Sequence, residues 1–340
     1  MEALPLFTQN CRSTFQPVVE LLHLEIITWR LDHLRHRQAV DNHIRRLDPP
    51  VEQVRQQTER ANDRGIGLDK KLFELDELRG LDRDMNFRPP APQTPRVLSI
   101  EQLEAYNRDG YYSPLGCFDA DEIAVYRSGF DKLLDATLAE GSDSLSVIDP
   151  HLHHAWMYDL LFEPRVVDCV KDLIGEDIAC WGTHYFCKLP HETKHVAWHQ
   201  VAFYWPFERA RTVTVWLAID DADRANGCMQ VVAGSHLHGS IEHRVTREEE
   251  QNALRFTVEG AEVYGTIADI AMTAGQFSVH SDLLLHGSGP NPSDRRRCGL
   301  TIRYIAADTA NFADWNKSGV MICGEDVRGL WPNAPRPEDN

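Results

Sequence analysis

A chain of 340 residues with 42% hydrophobic and 26% charged residues has the composition of a soluble globular protein of one large domain or two modest ones. Its formal net charge of -17 repels nucleic acid phosphates, which excludes nucleic acid as a partner. No uncharged apolar stretch approaches the roughly 18 residues that span a membrane, and the first residues lack the features of a signal peptide. We therefore expect a cytoplasmic protein whose eight scattered cysteines are reduced.

The first 87 residues are helical in character, because apolar side chains recur at spacings of three to five near the N-terminus. Helices are predicted over residues 15–47, 51–63 and 70–78. Four prolines between residues 89 and 95 cannot continue a helix. We therefore predict an N-terminal helical extension over 1–87 and a proline-rich tether over 88–96. The extension is expected to pack on the main domain or to form a homodimer contact.

The remaining chain changes from helical to strand patterns. Ser99 to Gln102 forms a capping box, and helices are predicted over residues 121–138 and 164–173, the latter stopped by Gly175. Strands are predicted over residues 212–219, 228–232, 277–280 and 299–305. Residues 212–219 alternate like a half-buried strand. Helices followed by strands favour a mixed α/β domain over 97–310 with a mainly β core, a double-stranded β-helix (jelly roll, cupin-like) with packing helices, and a tail over 311–340.

Two separated histidines carry the chemical signal. His199 lies in the segment Trp198-His199-Gln200-Val201, and His286 follows 87 residues later, leading Arg297 by 11. Imidazole binds iron, zinc, copper and nickel, and two histidines with one carboxylate form the facial triad of non-haem iron. For either histidine alone, a hydrogen-bonded structural role is the more common interpretation, and the pair by itself does not change that.

Four blocks, in order, resemble the phytanoyl-CoA dioxygenase family of iron(II)/2-oxoglutarate oxygenases: the opening from Ser99 to Gly110, residues 182–206, residues 216–236 and residues 286–304. The resemblance implies the jelly-roll fold and a requirement for Fe(II), 2-oxoglutarate and O₂. It implies that His199 and His286 are metal ligands, that Arg297 pairs with the distal carboxylate of 2-oxoglutarate, and that Ser288 assists it. Lys188 and His184, on the strand before the first motif, are further candidates for the cosubstrate pocket.

Val201 departs from the family pattern, in which the first motif is His-x-Asp. Valine offers no lone pair, so one of the three metal ligands is missing. The third site could be filled by water, substrate or another side chain. Alternatively, the chain is a halogenase, because in the family's halogenating relatives alanine or glycine replaces the aspartate and chloride binds there. The two methyls of valine, however, occupy space that chloride would need. A third alternative is an altered or weakly active member that acts as a binding protein, including one altered at this residue in the laboratory.

The resemblance thus implies a non-haem iron(II)/2-oxoglutarate-dependent dioxygenase that oxidises, most simply by hydroxylation, a C–H bond of a small or medium organic substrate. The halogenase and the binding protein remain as alternatives, and chloride is a cofactor only of the first of these. The expected partner is a small molecule, with neither nucleic acid nor membrane.

Overall fold

Antiparallel strands form three sheets in the part of the chain that a computed structural model describes, residues 73–91 and 94–338. The strands are β1 Tyr111–Gly116, β2 Ile178–Lys188, β3 Val196–His199, β4 Thr212–Ala218, β5 Met229–Ala233, β6 Arg244–Val245, β7 Phe256–Thr257, β8 Thr266–Ile270, β9 Gln276–Ser281, β10 His286–Ser288, β11 Arg297–Ala306 and β12 Val320–Cys323. The large sheet has the order β1-β9-β4-β11-β2-β12 and the small sheet has the order β3-β10-β5-β8. Strands β6 and β7 pair separately.

The helices of the described residues precede or connect these strands. They are α1 Leu75–Arg79, α2 Ile100–Asp109, α3 Ala120–Ala139, α4 Ala155–Leu160, α5 Pro164–Ile174 and α6 Val201–Tyr204. Short 3-10 helices are formed by Pro150–Leu152, Arg224–Asn226, Ser235–His238, Glu248–Glu250, Ala261–Tyr264 and Trp315–Ser318. No helix in the described ranges is both long and apolar enough to cross a bilayer.

The predicted start and stop signals place two of these helices. The Ser99 side chain accepts a hydrogen bond from the backbone N–H of Gln102, which completes the capping box at the start of α2. Helix α5 begins at Pro164 and ends at Ile174, and Gly175 follows it with a φ of 99°. The helices predicted over 121–138 and 164–173 are therefore confirmed to within one residue. The helices predicted over 15–47 and 51–63, the first part of the one over 70–78, and the homodimer contact lie outside the described residues.

Strand β4 differs from its prediction, because all seven of its residues are buried. The alternation is correct, but the strand lies in the centre of the large sheet, between β9 and β11. Val213, Val215 and Leu217 pack in the main core against residues of α3 and α5. Trp216, on the opposite face, packs against residues of the small sheet. A strand covered on both faces keeps the period of two but loses its solvent-exposed half.

Both ends of the described chain pack on the β domain. Phe73 and Leu78 lie in a buried cluster with Phe203 and Phe256. At the other end, β12 pairs with β2, so the predicted tail after residue 310 adds an edge strand to the large sheet.

Arg83 connects the segment before the domain to helix α6. Its guanidinium donates to the backbone carbonyls of Ala202 at 2.9 Å, Phe203 at 3.2 Å and Trp205 at 2.9 Å, and also to Leu78 O at 3.0 Å. The carbonyls of Ala202, Phe203 and Trp205 lie within and just after α6, which has only four residues. One side chain therefore provides the hydrogen-bond donors that the carbonyls at the end of this short helix lack.

We expect Arg83→Met to lower the free energy of unfolding by about 2 kcal/mol, because partly buried carbonyls lose their donor while the apolar stem is retained. The midpoint of urea unfolding measures the effect. Arg88→Met is the matched control, since the Arg88 ion pair with Asp84 is largely exposed and should contribute about 0.5 kcal/mol or less. Equal midpoints for the two variants would contradict this role of Arg83.

Candidate metal and cosubstrate site

A cavity with about 500 Å³ of empty space, part of it open to solvent, lies between the large and small sheets. Five residues that the sequence singles out line it together: His199, Val201, His286, Ser288 and Arg297. They come from β3, α6, β10 and β11. The fold therefore brings into one place side chains that are up to 98 positions apart in the sequence.

His199 and His286 are directly paired across β3 and β10, and their ring centroids are 4.2 Å apart. Gly287 permits this close approach, because a Cβ at that position would lie 2.7 Å from the carbonyl oxygen of Val196. The pairing of two short strands thus places two imidazoles side by side at the cavity wall.

Each of the two rings uses one nitrogen for a backbone contact. Nδ1 of His199 lies 2.9 Å from Ala197 O, and Nδ1 of His286 lies 2.9 Å from Leu284 O. A carbonyl only accepts, so Nδ1 carries the hydrogen and Nε2 of each neutral ring keeps its lone pair. A backbone hydrogen bond of this kind commonly orients a metal-binding histidine.

Burial keeps both rings neutral. It lowers the pKa of His286 to about 4, and the nearby positive charge of Arg303 lowers that pKa as well. Burial is the main reason that the pKa of His199 is well below its usual value, and the neighbouring His286 lowers that pKa further. At neutral pH both imidazoles are therefore in the form that binds metal.

His243 shows how a structural histidine differs. Its Nδ1 also contacts a carbonyl, Ile241 O at 2.8 Å, but its Nε2 accepts the backbone N–H of Gln200 at 3.1 Å. The Gln200 side chain in turn donates to Gly239 O at 2.8 Å and Leu283 O at 2.7 Å. Sequence reasoning missed this function of Gln200, which fixes the peptide next to His199.

Val201 begins α6 and packs against the tryptophan cluster that includes Trp181 and Trp205. Its side chain lines the cavity but offers no donor atom. Within residues 73–91 and 94–338, no three His, Cys, Asp or Glu side chains are grouped so as to hold a metal ion. The described residues therefore fit an iron site with two imidazole ligands, and none of them provides a third ligand in this arrangement.

Arg297 is 2% exposed and reaches the cavity from β11. Its guanidinium donates to Gly227 O at 3.1 Å and Phe186 O at 3.1 Å, and Nη2 is 3.4 Å from the Ser288 hydroxyl. No carboxylate of the described residues forms an ion pair with it. A buried guanidinium without an anion fits a carboxylate of 2-oxoglutarate.

The two neighbouring arginines are engaged elsewhere. Arg296 forms ion pairs with Asp220 at 2.8 Å and Asp131 at 2.6 Å, and Arg295 pairs with Asp223 at 2.7 Å. Of the three consecutive arginines, Arg297 is the one that lines the cavity.

Lys188 and His184 do not line this cavity. The Lys188 ammonium donates to Ser288 O at 3.3 Å and to Gly289 O, while His184 Nε2 contacts Leu145 O at 2.7 Å. Lys188 is paired with Arg297 across β2 and β11, and burial together with this second cation lowers the pKa of Lys188 to about 7. A place for Lys188 or His184 in the cosubstrate pocket stays a prediction, and the position of the Lys188 ammonium also suits support of the segment that carries Ser288.

Sequence reasoning also missed the roles of His280, Thr214 and Arg303, which line the same cavity. They lie on β9, β4 and β11, and the ring centroids of His280 and His286 are 4.8 Å apart. Burial holds the pKa of His280 well below its usual value, with smaller contributions from His286 and Arg303. The sequence could have pointed to these residues through the period-two alternation of each strand. Alternation predicts which side chains share a face of the strand, but it does not predict which strands are neighbours.

A family model described as phytanoyl-CoA dioxygenase (PhyH) matches residues 106–299, more than half of the chain. The chain belongs to the phytanoyl-CoA dioxygenase family. The membership that the sequence blocks predict is thereby confirmed.

Relatives of this family member include a probable alpha-ketoglutarate-dependent hypophosphite dioxygenase of Stutzerimonas stutzeri, 27% identical and covering 66% of this chain and 86% of the relative. A probable phytanoyl-CoA dioxygenase of Caenorhabditis elegans is 25% identical, and the match covers 64% of this chain and 78% of that relative. Among solved structures, the apo form of the non-heme monooxygenase ThoJ is 28% identical with a TM-score of 0.58, covering 69% of this chain and 88% of that one. The likeness confirms the predicted jelly-roll class.

Proposed function

We propose that this member of the phytanoyl-CoA dioxygenase family is a non-haem iron(II)/2-oxoglutarate-dependent dioxygenase that oxidises a C–H bond of a small or medium organic substrate, most simply by hydroxylation. One observation carries the proposal. His199 and His286 present two neutral rings with Nε2 free to one cavity, and Arg297 reaches the same cavity without a carboxylate partner among the described residues. Family membership supports the same chemistry.

The side chains of the site divide into three functions. His199 and His286 would hold the iron, and their Nδ1 hydrogen bonds fix the ring orientations. Arg297 and Ser288 would hold the carboxylate of 2-oxoglutarate. When bound, iron(II) and 2-oxoglutarate supply the activation of dioxygen and, through decarboxylation, two electrons. Phe186, Trp216 and Met229 line the cavity and limit water around the reacting C–H bond.

Because Val201 provides no metal ligand, the halogenase and the binding protein remain as alternatives. Without the aspartate, the cavity could admit chloride as a halogenase does, or the metal site could be too weak for turnover. The packing of Val201 on the tryptophan cluster disfavours chloride at the place of its methyl groups. We therefore favour an oxygenase whose third metal site is filled by water, substrate or a side chain that moves there.

We expect Val201→Asp to tighten Fe(II) binding by about tenfold or more, because it restores an anionic ligand in a space of nearly the right shape. Anaerobic Fe(II) titration measures the affinity, and succinate release with and without chloride measures turnover. Val201→Asn is the matched control, since it has the same shape without the charge. Val201→Asp should also increase 2-oxoglutarate-dependent hydroxylation.

The same assay separates the alternatives. A native chain that needs chloride, with Val201→Gly active and Val201→Asp inactive, would identify a halogenase. Absence of succinate release from native and Val201→Asp chains alike would favour the binding protein. Strong chloride-independent hydroxylation that Val201→Asp destroys would mean that another group already completes the metal site.

A further inference from the structure

Three polar side chains form one row across the large sheet at the cavity. Thr214 on β4 is paired with His280 on β9 on one side and with Arg303 on β11 on the other. All three line the cavity that contains His199 and His286. Direct cross-strand partners lie on one face of a sheet at about 5 Å spacing, so the row can contact a single small group.

Each member of the row has unused hydrogen-bonding capacity. His280 is 1% exposed, and within the described residues neither of its ring nitrogens has a hydrogen-bond partner. The buried hydroxyl of Thr214 is likewise without one. Buried polar atoms are nearly always paired, so two such residues side by side indicate a ligand or water between them.

Arg303 adds a positive charge to the row. Its guanidinium lies over the rings of Trp181 at 5.2 Å and Trp205 at 5.7 Å. No hydrogen bond or ion pair joins its side chain to another of the described residues. Aromatic contacts stabilise the cation but do not use its N–H donors. The side chain is therefore oriented and available for an acceptor.

The side chains that line the cavity carry a net positive charge, which favours the binding of a further anion. Its lining residues include Arg297 and Arg303 but no aspartate or glutamate. Iron(II) would raise the positive charge of the cavity from two to four, and the 2-oxoglutarate dianion would neutralise two of these four charges. In the usual family site the aspartate ligand neutralises one more positive charge, but Val201 is uncharged and neutralises none. The buried carboxylate of Asp149, which does not line the cavity, stabilises the Arg303 cation in part. The loaded site still keeps a net positive charge, and uncompensated charge in a buried site is costly, so a substrate that carries an anion is favoured here.

We propose that Arg303, Thr214 and His280 form a subsite for a carboxylate of the substrate, so that the oxidised compound is an organic acid. The inference rests on the proposed function, since it concerns the substrate of that same cavity. Arg303 donates the charge-assisted bonds and the Thr214 hydroxyl and a His280 ring N–H complete the set of donors. Arg297 stands six residues along β11 from Arg303, about 20 Å between their Cα positions at 3.3 Å per residue, so each arginine serves its own carboxylate. Because 2-oxoglutarate has two carboxylates, the substrate subsite is tested with 2-oxoglutarate already bound.

The test compares acetate with acetamide, which has the same shape without the charge, on the full chain loaded anaerobically with Fe(II) and 2-oxoglutarate. The visible charge-transfer band first reports that metal and cosubstrate are bound. The shift of the thermal unfolding midpoint with probe concentration then gives the apparent affinity. Native protein should bind acetate at least tenfold more tightly than acetamide. Arg303→Gln should remove that preference, and Thr214→Val, a conservative change for a strand, should weaken acetate about threefold.

Arg295→Gln is the matched control, because Arg295 pairs with Asp223 outside the cavity, and it should bind acetate as the native chain does. Equal acetate binding by native protein, Arg303→Gln and Thr214→Val would overturn the subsite. Binding of chloride through Arg303 in place of acetate would overturn the carboxylate assignment in favour of a halide site. A native chain that never develops the band would count against the proposed function, and acetate titration of the metal-free chain would still test the row.

Discussion

Replacing either His199 or His286 with alanine should abolish Fe(II) binding and all 2-oxoglutarate turnover. The described residues offer two protein ligands instead of three, so one substitution leaves a single imidazole, and one imidazole does not hold iron at micromolar concentrations. Metal content after anaerobic reconstitution and desalting measures the effect. Loss of occupancy by a hundredfold or more is expected for each variant.

His191→Ala is the control for this experiment. His191 is exposed and pairs with Asp294 at 2.9 Å, away from the cavity. Cooperative thermal unfolding of the metal-free variants would show that the fold is retained. Full metal occupancy in either His199→Ala or His286→Ala would mean that the ligand assignment is wrong.

Replacing Arg297 with alanine should raise the 2-oxoglutarate concentration needed for half-saturation by about 30- to 100-fold while iron content stays nearly intact. The expected loss corresponds to about 2–3 kcal/mol for a bidentate, charge-assisted contact. Titration of the charge-transfer band with 2-oxoglutarate measures it. The 2-oxoglutarate concentration for half-saturation of Arg297→Lys should lie between those of the native chain and Arg297→Ala, because lysine keeps the charge but lacks the planar guanidinium.

Arg295→Ala and Arg296→Ala are the matched controls, since both residues precede β11 and their side chains form ion pairs with Asp223 and Asp220, which do not line the cavity. They should leave the 2-oxoglutarate requirement within about twofold of the native value. An equal increase from either would show that the wrong arginine was chosen. Simultaneous loss of iron from Arg297→Ala would indicate that this side chain supports the metal site itself.

Local sequence signals were sufficient for much of the fold and for the two imidazoles. The capping box at Ser99, the stop at Gly175 and the alternation in β4 each depend on a few neighbouring residues, and each predicted the correct element. His199 and His286 could be named because their motifs are short and contiguous. Arg297 could be named because it follows His286 by 11 residues in a block that resembles the family.

The remaining features depend on which strands become neighbours. The burial of both faces of β4 requires helices on one side and the small sheet on the other. The row of His280, Thr214 and Arg303 exists because β9, β4 and β11 pair in one register, which no stretch of the sequence specifies by itself. Lys188 was predicted in the cosubstrate pocket from its strand, but the carbonyls of Ser288 and Gly289 determine where its ammonium lies.

The pairing of His199 with His286 has a consequence for local stability. Strand β3 is the edge of the small sheet and has four residues, so it should open more readily than the centre of the sheet. A metal ion held by both imidazoles would bridge β3 to β10 and would have to dissociate before the edge strand could separate. Amide hydrogens of β3 should then exchange with solvent more slowly when the metal is bound, by a factor that grows with free metal concentration. A slip of one residue between the two strands would turn one imidazole to the opposite face, so the same ion would also select the native register.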